Sequence, residues 1–188
     1  VSQFGFDRIE ETAKKNLWDS TQYIEDIFVG YRYFDSFAKN VSYPFGYGLS
    51  YTTFAYSNPS VSTEGDVINV TVDVENTGTV AGKEVVEVYV KAPDAKAANK
   101  PEHELRAFAK TGTLKPGEKQ SLKMVFSVAD LASYNTEKAA WVVAEGEYVV
   151  EIVASSRDIR ATAPVTVAAK ETKCENLLAP KTELNTLK

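Results

Sequence analysis

The chain has 188 residues, a hydrophobic content of 44% and a formal net charge of −5, values that are typical of a soluble globular protein. The acidic balance argues against nucleic-acid binding, which normally requires a basic face. No apolar run approaches the roughly 20 residues of a membrane-spanning helix, so we expect no membrane partner. Because Cys174 is the only cysteine and His103 the only histidine, we expect no internal disulfide, no metal site and no cofactor.

The N-terminal part forms an aromatic-rich arm. Residues 1–20 carry a weak helical pattern, which predicts one short helix with a single apolar stripe. Ile27-Phe28-Val29 predicts a short strand that Gly30 ends. Many exposed rings would make a sticky patch, so a packed seam is favoured over a sugar-binding site. The rings concerned are Tyr23, Phe28, Tyr31, Tyr33, Phe34 and Phe37.

A second stretch, Phe45–Phe54, joins this arm to the rest of the chain. Gly46 and Gly48 separate its aromatic residues, and glycine allows the backbone to bend tightly. We expect a packed bend at this boundary. On that hypothesis, Gly48→Val loosens the docking of residues 1–44 more than it destabilises the downstream domain.

From Phe54 onward, short runs of β-branched and aromatic residues alternate with turn signals. They predict seven or eight antiparallel strands in a sandwich of the immunoglobulin or fibronectin type III kind. The lack of paired cysteines favours the fibronectin type III kind. We expect Tyr89, Trp141 and Tyr148 in the core and Glu87 as a solvated charge. The predicted strands are 54–61, 67–74, 84–91, 105–113, 121–128, 140–144, 148–154 and 160–167, with a corner at 129–135.

The predicted fold class is therefore mainly β, a sandwich with an aromatic-rich N-terminal arm that carries a short helix. Its predicted divisions are an arm or linker at residues 1–52, the sandwich at 53–168 and a polar tail or linker at 169–188. The tail forms either a link to a further domain or a strap on the surface. The start of the sequence has neither an initiator methionine nor a signal-peptide pattern, and suggests a piece of a longer chain. The compartment stays unassigned, with the cytoplasm favoured over the periplasm or secretion.

Two clusters offer candidate chemistry, and each has a simpler interpretation. Glu25-Asp26 is a carboxylate pair, but adjacent side chains of an extended chain point to opposite sides and do not face one substrate. The Ser155–Asp158 segment, together with His103, offers the residue types of a hydrolytic triad without a nucleophile elbow. A turn in which Asp158 pairs with Arg157 or Arg160 is favoured. We therefore assign no catalytic, cofactor-binding or metal-binding residue.

Several separate motifs, in order, resemble glycoside hydrolase family 3. The resemblance runs from about residue 21 to 167 and is specific because the motifs are many and their order is kept. They are Tyr23–Asp35 (YIEDIFVGYRYFD), Tyr43–Phe54 (YPFGYGLSYTTF), Asn76-Thr77-Gly78, Glu84–Val90, Glu104–Phe108, Leu114–Glu118 and Ser155–Ile159.

The resemblance implies a retaining β-glucosidase or related exo-acting glycosidase, with a (β/α)8-type barrel, an α/β sandwich and a fibronectin type III-like domain. Residues 1–52 then correspond to the end of the α/β domain. The family's aspartate nucleophile lies in the barrel and its glutamate acid/base in the α/β domain, and neither motif is present here. The chain alone is thus expected to be inactive. Asn176–Pro180 also resembles members in which the barrel follows the fibronectin-like domain.

Two functions stay open on the sequence. The first is a non-catalytic structural fragment of a bacterial family 3 enzyme of carbohydrate metabolism, whose partners are the absent barrel and α/β domains. In that case the 92–104 loop contributes to the substrate entrance or to a homodimer contact. The second is a stand-alone carbohydrate-binding or adhesion module, which predicts an exposed row of rings on one sheet face.

Overall fold

The computed structural model describes residues 23–96, 98–175 and 177. The helical pattern predicted within residues 1–20 and most of residues 176–188 lie outside the described residues. Within that part, the elements are helix α1 (Tyr31–Ser36), a 3-10 helix (Val128–Leu131) and strands β1 (Phe54–Glu64), β2 (Val67–Asn76), β3 (Val85–Lys91), β4 (Glu104–Lys110), β5 (Lys119–Ser127), β6 (Ser133–Asn135), β7 (Ala140–Val143), β8 (Gly146–Ser155), β9 (Asp158–Val167) and β10 (Lys170–Lys173).

The strands form three antiparallel sheets. The first has the order β1-β2-β5, the second β4-β3-β8-β9, and a smaller third sheet β10-β7-β6. The main core lies between the first two sheets. Side chains alternate between the two faces of a strand, so every second residue can enter this core. In β2, every second side chain from Ile68 to Val74 is apolar and almost fully buried. The predicted mainly-β antiparallel sandwich is confirmed.

Strand β3 of the second sheet is buried on both faces. Val86, Val88 and Val90 of β3 point into the core, whereas Glu87 and Tyr89 alternate with them and point outward. Glu87 is nevertheless only 7% exposed and Tyr89 is fully buried. The expectation that Glu87 is a solvated charge was wrong, because the N-terminal arm covers this outer face.

The arm itself differs from its prediction. Ile27-Phe28-Val29 is not a strand, and helix α1 follows directly. Gly30 has a φ of 60°, a conformation that side chains with a Cβ rarely adopt. Its carbonyl accepts the amides of Tyr33 and Phe34, so the chain turns at Gly30 and starts a helix instead of extending.

The third sheet accounts for the remaining differences. Strands β6 and β10 were not predicted, and β10 lies in the segment assigned to the tail, where it pairs with β7. Tyr89 and Tyr148 are buried as expected, but Trp141 on β7 is 50% exposed, so its assignment to the core was wrong. The Trp141 ring lines a groove beside Tyr134 and lies outside the core between the two main sheets. None of the described helices is long and apolar enough to span a membrane.

Candidate functional site

The arm docks on the outer face of the second sheet through one tyrosine of α1. The ring of Tyr31 meets that of Tyr89 edge to face at 5.4 Å and lies 5.3 Å from the ring of Phe45. Its hydroxyl oxygen accepts the amide of Leu105 at 2.9 Å, on the edge strand β4. The carbonyl of Phe45 accepts the amide of Ser156 at 2.8 Å. The arm is therefore tied to the backbone at two edges of the sheet.

The remaining rings form a seam beneath the helix, as the sequence favoured. Phe37 contacts Phe28 at 5.3 Å and Tyr33 at 5.0 Å between ring centroids. Phe28 and Tyr33 are buried, whereas Tyr23 is exposed and does not join them. Edge-to-face and tilted pairs of this kind stabilise by roughly 0.5–1.5 kcal/mol beyond their area burial. The seam fixes α1 as a packed element.

A buried histidine bridges the arm and the sheet. Nδ1 of His103 lies 2.7 Å from Glu151 Oε2 on β8, and Nε2 lies 3.4 Å from Asp35 Oδ2 on α1. The ring stacks on Tyr89 at 4.6 Å. Burial lowers the pKa of His103, but the hydrogen bonds and charges of Glu151 and Asp35 outweigh it and raise the pKa above its ordinary 6.5. The protonated ring can donate to both carboxylates.

Arg157, in the turn between β8 and β9, clamps the end of α1. Its Nε donates to Asp35 Oδ1 at 2.6 Å, and its Nη2 donates to the carbonyls of Phe34 at 3.2 Å and Lys39 at 2.8 Å. A guanidinium is suited to this fork of acceptors, and it satisfies carbonyls at the helix end. Of the two predicted partners of Asp158, Arg160 is correct, at 2.7 Å, and Arg157 is not.

We expect Arg157→Gln to loosen the arm. The change removes one ion pair and two carbonyl contacts, which together contribute about 1–2 kcal/mol after discounting for the partly exposed side chain. Hydrogen exchange of residues 31–47 should become at least several-fold faster, while β2 and β3 stay protected. Arg160→Gln is the matched control, since Arg160 pairs with Asp158 in its own hairpin and lies over the Tyr56 ring of β1, whereas Arg157 binds the arm. Equal effects of the two variants would contradict the clamp.

Glu87 lies under the predicted bend of the arm. Its carboxylate accepts the Tyr89 hydroxyl at 3.0 Å, and burial raises the pKa of both groups. Gly46 has a φ of +82°, and a Cβ at this position would lie 2.6 Å from the Glu87 carboxylate oxygens. Gly48 has no such neighbour within 4 Å. We therefore expect Gly46 to matter more than Gly48 for docking, and the role predicted for Gly48 stays a prediction.

Gly46→Ala should destabilise the docked arm by about 1–3 kcal/mol, because the methyl group meets Glu87 and the positive φ is strained for alanine. Gly48→Ala, in open space, should cost less than about 1 kcal/mol. Chemical unfolding of both variants beside the parent chain measures the difference. A larger loss for Gly48→Ala would restore the original prediction.

The other candidates from the sequence do not join this cluster. Glu25-Asp26 lies in a surface turn, and the exposed Cys174 lies at the end of β10. His103 is bonded to two carboxylates on opposite ring nitrogens instead of to a serine. Within the described residues, no set of three or more His, Cys, Asp and Glu side chains is arranged to hold a metal ion. The charges of His103, Glu151, Asp35 and Arg157 pair with one another, an arrangement that fixes the position of the arm.

Comparisons with known proteins agree with this description. A family model for the fibronectin type III-like domain matches residues 84–156. The chain is 44% identical over 146 residues to the thermostable β-glucosidase B of Acetivibrio thermocellus, a match that covers 75% of this chain and 19% of that protein. It is 46% identical over 139 residues to a β-glucosidase of Kluyveromyces marxianus, with 73% and 16% covered.

Solved structures give the same answer. The β-glucosidase 3B of Thermotoga neapolitana in complex with glucose superposes with a TM-score of 0.77 at 48% identity, over 81% of this chain and 21% of that one. The GH3 β-glucosidase of Bifidobacterium adolescentis gives 0.71 at 41% identity, over 81% and 23%. The chain thus spans about a fifth of the length of the relatives it matches. It carries a fibronectin type III-like domain that matches part of the β-glucosidases of glycoside hydrolase family 3.

Proposed function

We propose that the chain is the non-catalytic scaffold of a β-glucosidase-like enzyme, and that its arm carries the surface on which the other domains rest. The observation that carries this proposal is a row of exposed apolar side chains on the arm. Their exposed fractions run from 49% at Tyr47 to 99% at Tyr51. The members of this exposed row are Tyr43, Phe45, Tyr47, Leu49 and Tyr51.

Except at Phe45, whose ring also contacts Tyr31, the row is distinct from the docked side of the same arm. Tyr31 and the Asp35 carboxylate face the sheet and hold the arm in place, whereas Leu49 and Tyr51 contact little of the described chain. Contiguous apolar groups on a fixed segment mark an interaction surface. The occupant we propose is the α/β domain of the same enzyme, with the barrel beyond it. The relatives' greater length supports this choice.

In this proposal the enzyme hydrolyses terminal β-glycosidic bonds in the carbohydrate metabolism of a bacterium. The nucleophile and the acid/base lie in the other domains, so the 188-residue chain alone is inactive. An aryl-β-glucoside assay of the purified chain should show no release above buffer. Release that is lost on substituting Glu25 or Asp26 would overturn the assignment.

The scaffold role is tested by a pair of surface substitutions. The double variant Leu49→Ser/Tyr51→Ser should leave the melting temperature of the 188-residue chain unchanged, because both side chains are solvated there. In the full-length gene product it should lower the melting temperature by several degrees and weaken activity, because the same side chains are then buried. Val125→Ser is the control, since Val125 is also half exposed but lies on the first sheet.

Two results would contradict the scaffold role. One is an equal effect of the double variant and the control in the full-length protein. The other is an intact mass of the native gene product near the 20.7 kDa of this chain.

The 92–104 loop is anchored near its C-terminal end. The amide of Glu102 donates to Ser36 Oγ of the arm at 2.8 Å, and Lys100 donates to the carbonyl of Leu131 in the 3-10 helix at 3.0 Å. We keep the substrate entrance and a homodimer contact as proposals for this loop. Sedimentation of the full-length protein with residues 92–99 shortened tests the homodimer contact, which requires a shift from dimer to monomer.

A further inference from the structure

The third sheet forms the floor of a groove that the scaffold role does not use. The register places Tyr134, Trp141 and Thr172 directly opposite one another on β6, β7 and β10, so their side chains share one face. The opposite wall contains Arg32 of α1 and residues of β4. The cavity has a volume of about 890 Å³, within the range of about 300–1,000 Å³ found for small-molecule sites.

The aromatic part of the floor is held in a fixed orientation. The Trp141 and Tyr134 rings meet edge to face, with centroids 5.4 Å apart and an interplanar angle of 64°. Trp141 still exposes half of its surface. A rigid, half-exposed indole is an apolar platform with low conformational entropy to lose on binding. Such a platform suits a flat ligand with an apolar face.

The charges that line the groove nearly balance. Four cations, Arg32, Lys100, Arg106 and Lys170, stand against the three carboxylates of Asp26, Glu104 and Asp130. Glu104 accepts Arg106 at 2.6 Å and also lies 3.4 Å from Arg32, and Lys170 is paired with Asp66. These groups still offer hydrogen-bond donors and acceptors, but an excess of one cation leaves only a weak field to select a charged ligand. The groove therefore favours an uncharged ligand rich in hydroxyl groups.

We propose that this groove is an accessory saccharide site, in which a pyranose ring stacks on Trp141 and its hydroxyls meet the Arg32–Glu104–Arg106 wall. The ligand class is a neutral β-linked gluco-oligosaccharide, a choice that rests on the proposed function. The groove is separate from the exposed row of the arm, so the site can hold substrate chains near the enzyme without taking part in hydrolysis.

Isothermal titration of the 188-residue chain with cellotetraose tests the site. We expect saturable binding in the millimolar range or tighter. Trp141→Ala should weaken it by about tenfold or more, whereas Trp141→Phe should retain most of it. Phe108→Ala is the matched control, because Phe108 is an exposed ring on β4 outside the groove lining. Unchanged circular dichroism of each variant shows that the fold persists.

Three results would overturn the saccharide site. They are no saturable heat with cellotetraose, equal losses for Trp141→Ala and Phe108→Ala, or tighter binding of an anionic oligogalacturonate of the same length. The readout is independent of the scaffold test, which uses Leu49, Tyr51 and the full-length protein. If those two substitutions have no effect in the full-length protein but cellotetraose binding depends on Trp141, the scaffold proposal is rejected and the saccharide site is kept.

Discussion

Replacing Asn76 with alanine is expected to lower the free energy of unfolding by about 3–5 kcal/mol, the largest loss for any polar substitution in the sandwich. Asn76 is fully buried at the end of β2. Its side-chain amide donates to the carbonyls of Val80 and Leu114, both at 2.8 Å. Its side-chain oxygen accepts the Thr52 hydroxyl at 2.6 Å and the Gly78 amide at 3.0 Å.

The size of the expected effect comes from the groups left behind. Truncation leaves the Thr52 hydroxyl, the Gly78 amide and the Val80 carbonyl without this partner. The Leu114 carbonyl loses one of its two bonds and keeps the Gly82 amide. A buried group without a partner costs roughly 1–3 kcal/mol, and partial relaxation reduces the sum. These contacts also join the arm, at Thr52, to the turn after β2. Loss of Asn76 should therefore loosen both regions together.

Urea unfolding of Asn76→Ala measures this loss directly. Thr53→Ala is the control, because it removes an exposed hydrogen bond to Thr77 at the same junction and should cost about 0.5 kcal/mol or less. If Asn76→Ala lowers the free energy of unfolding by less than about 1.5 kcal/mol, the interpretation that Asn76 joins the arm to the sandwich is wrong. In that case hydrogen exchange would also show the arm and sandwich opening independently.

The sandwich was predictable because its signals are local. The alternation along β2 and the turn residues after it fix which side chains enter the core, and these patterns need only neighbours in the chain. The eight predicted strands correspond to observed ones. One boundary that differs is the end of β4 at Lys110, where the amide of Gly112 turns to the side chain of Gln120.

The candidate site was not predictable because its contacts are distant in sequence. His103 is 48 residues from Glu151 and 68 from Asp35, and no local pattern marks any of them. Glu87 has the alternation of a solvated residue, and only the arm above it changes its environment. The prediction for Trp141 was wrong in the opposite sense: its residue type indicates burial, but its side chain is half exposed. What covers a face, or leaves it open, is a tertiary property.

His103→Leu is expected to destabilise the chain by about 2–4 kcal/mol at pH 6, because it leaves the buried Glu151 carboxylate without its partner. Asp35 retains Arg157, which limits the loss. The double variant His103→Leu/Glu151→Leu removes both charges and should recover part of the stability. If the double variant is the less stable of the two, the ion pair does not explain the loss.

The same histidine should make stability depend on pH with a definite sign. The pKa of His103 is raised in the folded protein, so between pH 6.5 and the folded pKa the native state holds a proton that the unfolded chain has released. The stabilisation that comes from protonated His103 is complete below pH 6.5 and is lost as the pH rises through the folded pKa. The groups that face the ring are Glu151 from β8, Asp35 and Tyr31 from α1, and Tyr89 from β3.

The difference between parent and His103→Leu unfolding free energies isolates this term. Burial raises the pKa of Glu84 and of Glu87, so their contributions to stability also fall as the pH rises. Both residues are present in both proteins, so these contributions cancel in the difference. The difference should shrink from pH 6 to pH 9, and the protection factors of the α1 amides, which correct for the intrinsic exchange rate, should fall over the same interval. A difference that stays constant over this range, or grows with pH, would show that His103 does not hold the arm through its charge.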